Sequence, residues 1–89
     1  MKVQTKAVTA GAPVKFQFDV SGSRFLIKNF TRGTLTCAIL GETIHIPANT
    51  SQMVATKLVP QSLQDYTDTI TVTAEDSSDL GVEIQCMDY

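Results

Sequence analysis

From Pro13 to Val20 the chain alternates Val14, Phe16, Phe18 and Val20 with Lys15, Gln17 and Asp19, and this period of two recurs along most of its length. A strand with one buried face has that period, whereas an amphipathic helix repeats every 3.6 residues. The alternation returns in Thr34–Leu40, where Leu35, Cys37 and Ile39 share a face, and in Thr43–Ile46, with two inward isoleucines. It returns again in Thr69–Ala74 through Ile70, Val72 and Ala74, and in Leu80–Met87 through Leu80, Val82, Ile84 and Cys86. Arg24–Phe30 is apolar on both sides through Phe25, Leu26, Ile27 and Phe30, which predicts a central strand. Val3–Thr9 is a weaker strand, and residues 1–12 are expected to form an extended N-terminal arm or an edge strand. Gln52–Val59 has an open register, because Met53, Ala55 and Val59 fall on one parity and Val54 and Leu58 on the other.

Turn residues separate these runs: Ser21-Gly22-Ser23, Arg32-Gly33, Gly41-Glu42, Pro47-Ala48-Asn49, Pro60 and the acidic Glu75-Asp76-Ser77-Ser78-Asp79. The turn at Arg32-Gly33 predicts a hairpin joining Arg24–Phe30 to Thr34–Leu40. Gln61–Asp68 lacks alternation and reads as a helical turn or a longer loop. Twelve threonines, a β-branched residue suited to the wet face of a sheet, point the same way. About eight short strands, with no amphipathic helix long enough for a βαβ unit, predict an all-β, antiparallel β-sandwich of jelly-roll or immunoglobulin-like type. At 89 residues there is material for one core, so a single domain over residues 1–89 is expected.

Composition narrows function by exclusion. A net charge of −2 gives no reason to expect nucleic acid, and no run approaches the ~20 apolar residues that span a membrane. The first residues lack a signal peptide's apolar stretch, so the expected origin is a cytoplasm, with Cys37 and Cys86 reduced and packed as small hydrophobes. His45 is the only histidine and alternates outward, a poor basis for a catalytic triad. Asp65 with Asp68, and Glu75, Asp76 and Asp79, could offer oxygens to calcium, but their spacing matches no EF-hand and solvated turn acids are the plainer reading. Asn29-Phe30-Thr31 and Asn49-Thr50-Ser51 match the glycosylation acceptor pattern, which a chain with no secretory signal would not use. The four phenylalanines fall in strand patterns and are expected in the core, leaving Tyr66 and Tyr89 as candidates for exposure. No catalytic, cofactor-binding or metal-binding residue is assigned, and the binding surface is left open. Charge is uneven: residues 1–32 balance to +5 and the remainder to −7. The two sets either lie opposite one another in a monomer or face complementary surfaces on neighbouring subunits.

Phe25-Leu26-Ile27-Lys28-Asn29-Phe30-Thr31-Arg32-Gly33, Ile44-His45-Ile46-Pro47-Ala48-Asn49 and Val82-Glu83-Ile84-Gln85-Cys86-Met87 together resemble small β-sandwich virion accessory proteins of tailed bacteriophages, over roughly residues 14 to 87. The resemblance implies a capsid decoration protein or the capsid-binding base of a head fibre. Such a protein docks on the assembled shell, has the major capsid protein or another virion protein as partner, and often forms homo-oligomers. No long fibre repeat follows residue 87, which favours decoration over a head fibre. The expectation is therefore a non-enzymatic protein without cofactor, located in the virion. The alternative is a tail or baseplate module recognising a host-surface glycan or protein.

Overall fold

The computed structural model describes residues 2–56 and 62–88, which form two packed four-stranded sheets. The strands are β1 (Lys2–Val8), β2 (Val14–Gly22), β3 (Arg24–Asn29), β4 (Leu35–Ile39), β5 (Glu42–Ile46), β6 (Thr50–Ala55), β7 (Thr67–Ala74) and β8 (Ser78–Cys86). One sheet has the order β1-β8-β3-β6 and the other β2-β7-β4-β5, every pairing antiparallel. Pairs β4·β5, β3·β6, β2·β7 and β1·β8 are nested about the central Leu40-Gly41 turn, so the chain behaves as one long hairpin rolled over itself. That is the jelly roll, and it decides between the two sandwich types the sequence left open. Leu40 and Gly41 both have positive φ, 48° and 79°, as a two-residue type I′ hairpin turn requires.

The core is the set of inward residues that the alternation marks out. Phe16, Phe25, Ile27, Leu35, Cys37, Ile46, Ile70, Val72, Val82, Ile84 and Cys86 are fully buried, with Phe18, Ile39 and Ala74 beside them. β3 is central, between β8 and β6, as its two-sided apolar character predicts. Residues 2–8 of the N-terminal arm are an edge strand. In β6 the inward parity belongs to Val54, while Met53 is 52% exposed; the predicted continuation through Leu58, Val59 and the break at Pro60 lie outside the described residues. Leu63–Asp65 form a 3₁₀ turn, the helical alternative for that stretch.

Several expectations are corrected. The Arg32-Gly33 turn does not make a hairpin: β3 and β4 belong to different sheets, and the loop between them crosses the sandwich. Ser21 and Gly22 continue β2 rather than forming a turn, and Gly22 is needed because a Cβ there would strike the Asp88 carbonyl and the Cys86 sulfur. Leu80 is 70% exposed, not inward. Gly81 causes this: its φ of +62°, opposite the register shift between Lys6 and Val8, inverts side-chain parity within β8. Phe30 is also partly exposed, for a reason that belongs to the site below. Ser78 and Asp79 of the acidic turn are strand residues, as is Asp68.

The end of the roll that carries both termini is fastened by Asp88. Its Oδ1 accepts from the Ser23 N–H at 2.9 Å and the Arg24 N–H at 2.7 Å, and its Oδ2 accepts from the Ser23 hydroxyl. Burial works against the ionised carboxylate, but these donors and the nearby Arg24 charge outweigh it and hold its pKa below the usual value. Glu83 is lowered as well, by hydrogen bonds from Gln85 and Lys28 and by the Lys28 charge. A carboxylate depressed in the folded state adds stability that is complete above its unfolded pKa and disappears as pH falls through the folded one. Urea unfolding should therefore show stability level near pH 6 and falling from about pH 4 downward. Asp88→Asn should lower stability at pH 6 and flatten that acid slope.

Candidate functional site

The loops β1–β2, β3–β4, β5–β6 and β7–β8 lie at the opposite end, and two of them, β3–β4 and β5–β6, meet at one buried amide. Asn29 is 1% exposed at the end of β3. Its Nδ2 donates toward the carbonyls of Gly33 (3.0 Å), Ile46 (3.2 Å) and Pro47 (3.1 Å), while its Oδ1 accepts from the Thr31 N–H at 3.0 Å. The Thr31 hydroxyl lies 2.7 Å from that Oδ1 and 2.9 Å from the Gly33 carbonyl, with one proton for the two. The amide thus binds its own loop to the end of β5, and Asn49 N–H donates to the Thr31 carbonyl at 3.1 Å to extend the junction to β6. The glycosylation-like Asn29-Phe30-Thr31 is a structural device whose acceptor nitrogen is fully engaged inside the protein.

This node explains Phe30. Asn29 and Thr31 take the two inward positions, so strand alternation sends Phe30 outward, where its N–H bonds the Gly81 carbonyl at 3.0 Å. The ring, 39% exposed, forms a groove of about 620 Å³ with Thr31, Arg32, Asp76, Ser77, Ser78 and Leu80. The rim is cross-tied. Ala10 N–H donates to the Ser77 hydroxyl at 2.9 Å, Gly11 N–H to the Ala74 carbonyl at 2.9 Å, and Thr34 N–H to Glu75 Oε1 at 2.7 Å. Arg32, Glu75, Asp76 and Asp79 are all exposed there, an excess of negative charge. The arrangement suits docking: an apolar pair, Phe30 and Leu80, beside a guanidinium, a carboxylate and hydroxyls, on loops tied to one another by these bonds.

The remaining sequence candidates are not gathered at one place. His45 is exposed on the outer face of β5, its Nδ1 3.3 Å from the Thr36 hydroxyl, while Cys37 points into the core, so the two cannot act together. Burial pushes the Cys37 thiol up to about 12 and raises Cys86, so both stay protonated; both are free thiols. Asp65 accepts from the Ser62 N–H at 3.2 Å within its own turn, and Asp68 from the Thr69 hydroxyl at 2.8 Å. Among the described residues, no three His, Cys, Asp or Glu side chains converge as metal ligands. Among the described residues, no helix is long and apolar enough to cross a membrane. Tyr66 is half-buried, and Tyr89 lies outside the described residues. The charge division is partly resolved within the molecule, since Lys28 of the basic third pairs with Glu83 at 3.2 Å.

Sequence reasoning left the binding surface open, and the groove was not legible because its makers were assigned elsewhere. Phe30 and Leu80 are expected in the core, and the sequence attaches to Asn29 only an unused glycosylation pattern. The signal that could have found it was the polar Asn29-x-Thr31-x-Gly33 run continuing the inward parity of Phe25 and Ile27. Compared with family models, curated proteins and solved structures, the chain matches none.

If Asn29 holds the loop end, replacing its two donors by a carboxylate should be severe. Asn29→Asp sets negative charge against three carbonyl oxygens and should lower unfolding free energy by about 3 kcal/mol or more in urea titration. Asn49→Asp, on the exposed partner pattern, should change it by less than about 0.5 kcal/mol.

Proposed function

We propose that this chain is a non-enzymatic structural protein of a bacteriophage virion, a capsid decoration or head-associated accessory protein that docks on the assembled shell through its loop end. One observation carries the proposal. The three separated segments that resemble phage accessory proteins meet in space, with Asn29, Thr31 and Gly33 from the first, Ile46 and Pro47 from the second, and Val82, the register partner of Asn29, from the third. The shared pattern thus corresponds to one junction that shapes one surface. The fold is compatible, since eight-stranded jelly rolls recur in viral capsid and lectin domains, although a fold does not by itself set a function.

In this reading the partner is the major capsid protein or another virion protein, and the acidic rim of Glu75, Asp76 and Asp79 meets a basic patch on it. The second reading, a tail or baseplate module for a host glycan or protein, is favoured by one feature: the exposed Phe30 ring beside Arg32, Asp76 and Ser77 offers a stacking face next to hydrogen-bonding groups.

Co-sedimentation of the purified chain with assembled heads of the phage encoding it tests the choice. Docking should be measurable at low salt and weaken at least about tenfold toward 1 M salt, where the Debye length is about 3 Å. Asp76→Lys should weaken it at low salt alone. Docking indifferent to salt contradicts the electrostatic part, and glycan-array binding without head binding decides for the second reading.

A further inference from the structure

The four sheet edges are protected unequally. An edge strand presents unpaired N–H and C=O groups that template pairing with another chain unless charge, proline or a covering element blocks it. The β2 edge is covered from β1: Lys6 Nζ donates to the Lys15 carbonyl at 2.8 Å, Gln4 Nε2 to the Gln17 carbonyl at 2.7 Å, and Lys2 pairs with Asp19 at 3.2 Å. β1 itself carries Lys2 and Lys6, and β5 carries Glu42 and His45 and ends at Pro47. Among the described residues, β6 has none of these. Thr50–Ala55 contains no charge and no proline, and its register with β3 runs unbroken from Asn29–Thr50 to Arg24–Ala55.

Which backbone groups β6 leaves outward follows from one bond. Thr56 N–H donates to the Ser23 carbonyl at 2.8 Å, so 23 and 56 are a hydrogen-bonded pair. Alternation along an antiparallel ladder then assigns Phe25–Val54, Ile27–Gln52 and Asn29–Thr50 to the same class. Ser51, Met53 and Ala55 therefore point their N–H and C=O groups away from β3. Met53, 52% exposed, stands on the outer face beside its register partner Leu26, in a row with Gln85 and the half-exposed Val3.

We propose that β6 pairs with β6 of a second copy, antiparallel across a two-fold axis, joining two four-stranded sheets into one continuous sheet. Ser51 then faces Ala55 of the partner subunit, and Met53 faces Met53 of the partner subunit with Leu26 behind each. A second copy fits this edge because an uncharged strand set against itself meets no like charge, and the apolar Met53–Leu26 pair on one face continues into its own equivalent. A charged partner strand would find no complement on β6. The inference is independent of the virion reading.

Sedimentation equilibrium from about 1 µM to about 1 mM, with amide exchange at both ends of that range, tests it. The expected result is a dimer in which the Ser51, Met53 and Ala55 amides, free in the monomer, exchange more slowly as concentration rises. Met53→Lys should raise the dimer dissociation constant at least about tenfold, because two ammonium groups would then meet at the axis. Its outward side chain should leave the urea midpoint of the monomer unchanged. Met53→Pro, which removes an outward N–H and no bond to β3, should do the same, while Val3→Lys, on the same face at the far edge, should leave the dimer intact. A monomer throughout the range overturns the proposal. So does a dimer that tolerates Met53→Lys and shows no concentration dependence at those three amides.

Discussion

A buried primary amide must place two N–H donors and a carbonyl oxygen, and any it fails to place carries a desolvation penalty of about 1–3 kcal/mol. Asn29 places all of them: its donors on the carbonyls at the end of β5 and in the β3–β4 loop, its oxygen on the Thr31 N–H. The relation is reciprocal. The loop crosses between sheets there: Phe30 and Thr34 still bond to β8 and to Glu75 at its two ends, and between them a side chain completes the bonding that strand pairing does not. Thr31 sits inward for the same reason, and Phe30 is outward as a consequence. The surface feature most suited to docking is thus set by a polar requirement inside.

The opposite end solves a similar problem with charge. Where β2 passes into β3, also across the sandwich, Asp88 gathers the Ser23 and Arg24 N–H groups. The two crossings are thus held by polar side chains of different kinds, a neutral amide in the dry interior and a carboxylate nearer solvent, where ionisation is less costly. Between them the core needs only the ordinary alternation of apolar residues. The sides of the roll differ as well, since β1 seals the edge of β2 with Lys6 and Gln4 while β6 stands without charge.

Period-two patterning made the strands legible, because Phe16, Leu35, Ile70 and Val82 obey one physical rule, apolar side inward, that acts locally. Sheet membership was not legible. Arg32-Gly33 has the chemistry of a hairpin turn, yet which sheet β4 joins depends on pairing with β7, more than thirty residues later in the chain. The exposure of Leu80 was hidden because Gly81 changes parity through a positive φ, which nothing in its neighbours announces. The role of Asn29 was not legible because its side chain is polar by type and interior by position. The groove escaped for the same reason, being made of residues that break the rule the strands obey.

The Asn29 amide, buried and bonded to three carbonyls, holds the loop end as an integral part of the core. Hydrogen exchange of the Asn29 side-chain Nδ2 protons, followed by NMR under native conditions, measures this directly. They should exchange only through global unfolding, with the opening free energy of core backbone amides such as Ile27, while the exposed Gln17 side chain exchanges freely. Exchange of the Asn29 amide at the rate of Gln17 would contradict it.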